Sequence, residues 1–144
     1  MTARSFHARC DGRGPTLTVA RTAAGHVLGG YAAASWESPA IGGYVAAPGS
    51  FLFALRCAAA GLPPTRLALR WHGAENHLGM RKDSGPCFGA SGDLLLLGGG
   101  DPTCCYTTVG TTYALPKGQA DPHFLTGAKQ FTVAEVEVFR VLVA

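Results

Sequence analysis

Apolar positions in this chain come in short runs of β-branched, leucine and aromatic residues, and glycine or proline interrupts them about every ten residues. That is the punctuation of antiparallel strands joined by turns. The pattern predicts strands at 16–20 (TLTVA), 27–36 with a break at the glycines, 51–56 (FLFALR), 67–71 (LALRW), 93–97 (DLLLL), 106–109 and a closing 132–143. Between the first two, RTAAGH has the length and glycine of a hairpin loop. Helix signals are few. Residues 58–65 (AAAGLPPT) allow a short helical turn at most, because Gly61 and the Pro63-Pro64 pair stop anything longer. Residues 71–85 (WHGAENHLGMRKDSG) are polar and irregular and predict a long surface loop.

FLFALR sets Phe51, Phe53 and Leu55 against Leu52 and Ala54, and DLLLL has no polar member after Asp93. Segments apolar on both faces belong inside a packed sandwich rather than at its edges. The closing TVAEVEVFRVLV changes phase, with Val136 and Val138 facing one way and Phe139, Val141 and Val143 the other. A bulge or burial on both sides is expected there. The fold class is mainly β, a sandwich of antiparallel strands.

Composition narrows the class. At 144 residues, 47% apolar and 15% charged, the chain reads as a single globular domain over residues 1–144, burying roughly 68–70% of its unfolded surface. There is no internal repeat and no linker. No apolar run reaches about 18 residues and no signal peptide is evident, so a cytoplasmic location without membrane insertion is expected. Twelve basic and nine acidic side chains give +3, too weak and dispersed for a nucleic-acid footprint. Five cysteines without C-x-x-C spacing suit reduced buried thiols better than a disulfide framework.

Each candidate chemistry has a structural counterpart. Cys104 and Cys105 with Cys87, His72 or His77 would be a zinc site, but neighbouring strand residues point to opposite faces and paired-ligand spacing is missing; no metal and no cofactor is expected. FGASGD (residues 88–93) resembles a nucleophile elbow but ends in Asp93 and precedes a strand. Gly98-Gly99-Gly100 lacks the Lys-Ser/Thr of a phosphate loop. His7 and Cys10 would need a third, orienting group to act as base and nucleophile. The alternative is that Phe6 anchors the chain while residues 11–15 (DGRGP) turn it into the first strand, leaving Asp11 too near on an extended backbone to converge with His7. Glu135 and Glu137 share one face of the last strand, as a carboxylate pair or as a solvated face.

Several stretches taken together resemble one family. FHARCDGRGPTLTVART, GHVLGGYAAASWES, GSFLFALR, SGPCFGASGDLLL and FTVAEVEVFRV occur in the order and approximate spacing of the TLDc domain, the module of oxidation-resistance proteins, and span the chain from Ser5 to Val141. The resemblance implies two antiparallel sheets flanked by a few short helices. It places Phe6, His7, Cys10 and Asp11 in the lead-in to the first shared strand, Gly29-Gly30-Tyr31 and Trp36 on the G-G-Y and W strand, and Phe53 in the strand after it. Gly85-Pro86, Phe88-Gly89 and Asp93 fall on the G-P-x-F-G turn and beyond, and Glu135, Glu137 and Phe139 on the E-V-E-V-F ending. Gly85 and Gly89 are expected in tight turns with Phe88 in the core, and Trp36 and Phe53 are expected to be buried.

By the same resemblance the chain is a non-enzymatic interaction module with a protein partner in a larger assembly, linked to oxidative-stress protection or to regulation of the vacuolar proton-pumping ATPase. The contrasting reading is a redox-reactive or hydrolytic enzyme using Cys10, Cys104 or Cys105. The resemblance implies a helical segment ahead of the F-H motif, and here residues 1–5 (MTARS) precede it. Apolar surface beside Phe6 is therefore expected to lie open and to be covered by another chain, a second copy in a homo-oligomer, or a preceding domain.

Overall fold

A computed structural model describes residues 1–71, 75–90 and 92–142. The chain is mainly β, built as two antiparallel sheets. The first has five strands in the order β11-β1-β2-β4-β5: β1 (Thr16–Thr22), β2 (Val27–Ala32), β4 (Phe51–Arg56), β5 (Thr65–Ala68) and β11 (Val133–Arg140). The second has six short strands in the order β10-β9-β8-β7-β6-β3: β3 (Gly43–Val45), β6 (Leu78–Met80), β7 (Cys87–Phe88), β8 (Leu94–Leu95), β9 (Cys105–Tyr106) and β10 (Gln130–Phe131). Among the described residues one helix, α1 (Ala3–Cys10), and a single 3-10 turn (Gly98–Gly100) accompany them.

The core lies between the sheets. Thr18, Gly30, Leu52 and Leu67 form one inward row of the five-stranded sheet and Ala20, Leu28 and Ala54 the next. The second sheet faces them with Leu78, Met80, Phe88 and Leu94. Gly30 is needed in that row because a Cβ there would lie 2.6 Å from the Phe88 ring, so the two sheets close around an aromatic side chain that a larger residue would push away. The strand glycines therefore sit inside β2 without breaking it, contrary to the expected interruption, and β2 ends at Ala32.

Several boundaries differ from the pattern. β5 begins two residues earlier than expected and ends at Ala68, leaving Trp71 exposed, and β9 is only Cys105–Tyr106. No helix forms over 58–65. The expected surface loop at 71–85 contains β6, every residue of which is buried; His72 of that stretch, Ser91 of FGASGD and Val143 of the closing run lie outside the described residues. The bulge of β11 falls at Ala134, where the pairing steps from Arg21↔Glu135 to Thr22↔Val133, and the register then runs unbroken to Arg140. Phe139 consequently stays on the outer face, exposed.

The largest correction is at the N-terminus: residues 3–10 are helical, not an extended lead-in. Ala3, Phe6, His7 and Cys10 form the buried face at the i, i+3, i+4, i+7 spacing of an amphipathic helix. Thr2 caps it by accepting from the Ser5 amide, and the Ser5 hydroxyl accepts from the Thr2 amide in return.

Candidate interaction surface

The residues singled out in the sequence separate into three groups in space. The first is an aromatic column through the core. Phe6 of α1 meets Trp36 edge-on at 5.7 Å, Trp36 meets Phe88 at 5.4 Å, and Phe88 meets Tyr113 at 6.3 Å. Offset and edge-on rings of this kind add to the burial of their area. All four are at most 1% exposed, and the Trp36 indole N–H donates to Thr16 Oγ1 at 2.9 Å. Phe6 itself is thus closed in, but a groove lined by Phe6, Cys10, Val136 and Val138 opens beside it. Tyr113, unmarked in the sequence because it stands in a Gly/Thr-rich stretch, donates its hydroxyl to His77 O at 2.8 Å.

The second group is polar and buried, and its members are tied to backbone. Because α1 is a helix, His7 and Asp11 do converge: Nδ1 lies 2.7 Å from Asp11 Oδ1, the i,i+4 approach that an extended chain would forbid. Asp11 also accepts from the Ser38 hydroxyl. The other ring nitrogen of His7 faces the carbonyls of Arg81 and Ser84 at 2.7 and 2.9 Å, to which it donates. A nitrogen so engaged has no free lone pair to take a proton from Cys10. His77 is equally committed, accepting from the Ala47 amide at 2.8 Å and donating to Trp71 O at 2.9 Å. Gly85 and Gly89 serve this layer differently. Gly89 has a φ of +89° in a turn, as expected, whereas Gly85 has ordinary φ and is small because a Cβ would come 2.8 Å from Leu96 O. Pro86 between them accepts from the Leu96 amide at 3.0 Å.

Asp93 accepts from the amides of Thr112 at 3.1 Å and Tyr113 at 2.9 Å, pinning the loop before Tyr113 to β8. Burial pushes its carboxyl above the ordinary 3.8, with the N–H bonds from Tyr113, Thr112 and Gly110 pulling back. The folded chain therefore holds a proton that the unfolded chain has already lost just above pH 3.8. The contribution of Asp93 to stability falls as pH rises through that window and levels off above the folded value. Asp93→Asn is expected to remove this slope, read as the difference between native and variant urea midpoints across the acid range. Equal slopes would mean that Asp93 does not titrate there.

The cysteines are five free thiols. Burial raises the pKa of Cys10, with the Asp11 charge adding to it, and burial raises those of Cys87 and Cys105, the opposite of what a reactive thiol requires. Alkylation of the native chain is expected to reach the half-buried Cys57 and Cys104 first, with Cys10, Cys87 and Cys105 modified only on unfolding. Prompt modification of Cys10 or Cys105, mapped by mass spectrometry, would contradict the burial argument. Among the described residues no three His, Cys, Asp or Glu side chains converge.

The third group is exposed. On the outer face of the five-stranded sheet, the strand register aligns Phe139, Leu17, Tyr31, Phe51 and Ala68 in one row and Glu137, Val19, Gly29, Phe53 and Arg66 in the next. Tyr31 and Phe51 stack at 5.3 Å, and the Arg66 guanidinium lies 4.0 Å over the Phe51 ring. Phe53, expected to be largely buried, is only half-buried because it faces out, lying over Gly29 where a Cβ would meet its ring at 2.7 Å. Phe139 is 49% and Leu55 53% exposed. Glu135 pairs with Arg21 at 3.4 Å on the open surface and Glu137 is exposed beside it. The two glutamates do share a face, as expected, and it is this solvated one. No helix or strand of the described residues lies over the row, and none of their helices is long and apolar enough to cross a membrane.

A sequence model of the TLDc domain family matches residues 1–142. No curated protein matches the chain.

Proposed function

Since the chain belongs to the TLDc domain family, we propose that it is a non-enzymatic interaction module that docks on a larger protein assembly through the outer face of its five-stranded sheet. One observation carries this reading: a row of aromatic and aliphatic side chains, Phe139 exposed and Leu17, Tyr31 and Phe51 half-buried, lies on the outer face with Arg66 over a ring and Glu137 at its margin. Interfaces concentrate aromatic and arginine side chains in a core ringed by polar groups. The buried histidines and thiols argue the same way from the other side, since each is held by backbone or lowered in reactivity by burial. The family resemblance extends the proposal to a cytosolic partner such as the vacuolar proton-pumping ATPase and to protection against oxidative stress.

The test compares partners retained from the source cell by the native chain and by Phe139→Asp with Leu55→Asp, both exposed positions. The reading requires a defined set of proteins, in stoichiometric amounts, that the double variant loses while its urea midpoint stays unchanged. The same set retained by both chains would overturn it.

A further inference from the structure

A second surface is not part of that face. Between α1 and β11 runs a groove of about 620 Å³. Its helix wall carries Arg9 and Arg13, its strand wall Val136, Val138 and Arg140, and Phe139 closes its outer margin. Three guanidinium groups stand against one carboxylate, Glu137, so the groove is basic. Val136 and Val138 are only half-buried and pack on the core from the side; the apolar interior reaches the surface here. β11 is also an outermost strand of its sheet, with β1 on one side and no strand of the described residues on the other. It is eight residues long; the Val133 amide already donates to Pro102 O at 3.0 Å, and beyond it the outward amides and carbonyls toward Arg140 are a template for another strand.

We propose that this groove binds an extended, acidic segment of a partner protein, which adds to the sheet as a strand beside β11. The added backbone would satisfy the free edge of β11, and side chains alternate across it. Those on the helix side would set carboxylates against Arg9, Arg13 and Arg140 and cover Val136 and Val138; those on the other side would lie beside Phe139. A second copy of β11 fits less well, because antiparallel pairing centred on Glu137 would place two carboxylates opposite each other. The inference rests on the interaction-module reading and shares Phe139 and Glu137 with that face, but Arg9, Arg13, Arg140, Val136 and Val138 lie outside it, so variants at those positions let the two fail separately.

The probe is a fluorescein-labelled, eight-residue peptide of alternating Val and Glu, the length of β11. Its binding to the whole chain is followed by anisotropy. Saturable binding that weakens with added salt is expected, with a loss of roughly tenfold or more in Arg9→Glu combined with Arg140→Glu. Both arginines are exposed, and an unchanged urea midpoint would show that the fold is kept. The same peptide N-methylated at alternate amides tests the strand itself, since it keeps every carboxylate but loses half its donors. Failure of the methylated peptide to bind supports strand addition. Equal binding of the methylated peptide, equal binding of a Val/Lys peptide, or no binding of the Val/Glu peptide overturns the proposal. Phe139 borders both surfaces, so Phe51→Asp is the control variant: it is expected to leave peptide binding intact even if partner retention is lost.

Discussion

Trp36→Ala is expected to remove about 3–5 kcal/mol of stability, the range for truncating a large buried aromatic, and so a large part of the roughly 5–15 kcal/mol that holds a domain of this size. Trp36 lies 5.7 Å from Phe6 and 5.4 Å from Phe88, joining helix α1 to a strand of the six-stranded sheet. Its indole N–H also donates to Thr16 of the five-stranded sheet at 2.9 Å. Deleting the ring opens a cavity where three elements meet and leaves the buried Thr16 hydroxyl without its donor. Trp36→Phe separates the two costs: most packing survives, and the loss should be nearer the 1–3 kcal/mol of an unsatisfied buried polar group. Phe53→Ala should cost less than Trp36→Ala, since Phe53 lies on the outer face. Urea denaturation of the three variants decides it. A loss under 1 kcal/mol for Trp36→Ala would mean that the column does not bind the layers together.

Strands were readable where alternation and length were both present. β4 coincides with FLFALR, and β1 and β11 lie where TLTVA and VAEVEVFR place them. The strands of the second sheet are two or three residues long, too short for a period of two to emerge. β6 is hidden further by polar flanks, because His77 beside it is buried and has both ring nitrogens bonded. A histidine satisfied by backbone looks, in sequence, like one facing water. Helix α1 does carry a signal, the buried spacing Ala3, Phe6, His7 and Cys10 behind a Thr2–Ser5 cap, but the turn formers from Asp11 to Pro15 that follow it point to an extended lead-in.

The interaction surface was legible only in part. Glu135, Glu137 and Phe139 were marked, and strand parity placed the glutamates together. What alternation does not reveal is whether an apolar face is covered. FLFALR predicts burial on both sides because both its faces are apolar; the structure covers Leu52 and Ala54 and leaves Phe51, Phe53 and Leu55 facing out. An apolar strand face without a layer over it has the same residue pattern as one inside a sandwich. Arg9, Arg13 and Arg140 were equally invisible as a group, since only the packing of α1 near the sheet edge brings residues from both ends of the chain to one groove.

Gly29→Ala is expected to be the most costly single-methyl change in the chain. Gly29 and Gly30 are neighbours in β2 and point to opposite faces, so the same substitution meets different obstacles. At Gly30 a Cβ would press on side chains, the Phe88 ring at 2.6 Å and Leu52 at 3.0 Å. At Gly29 it would fall 1.9 Å from the Thr18 carbonyl oxygen as well as 2.7 Å from the Phe53 ring. A ring can shift, but the Thr18 carbonyl is fixed by β1, which pairs with both β2 and β11. Relief at Gly29 therefore means prying two central strands apart. Overpacking typically costs about 1–3 kcal/mol; Gly30→Ala should fall within that range and Gly29→Ala at its top or beyond it. The second-site variants distinguish the causes. Phe88→Leu should recover part of the loss in Gly30→Ala, whereas Phe53→Leu should recover little in Gly29→Ala because the carbonyl remains. Urea midpoints of the singles and doubles give the comparison. If Gly29→Ala proves milder than Gly30→Ala, or if Phe53→Leu restores it fully, the obstacle at Gly29 is the ring and not the backbone.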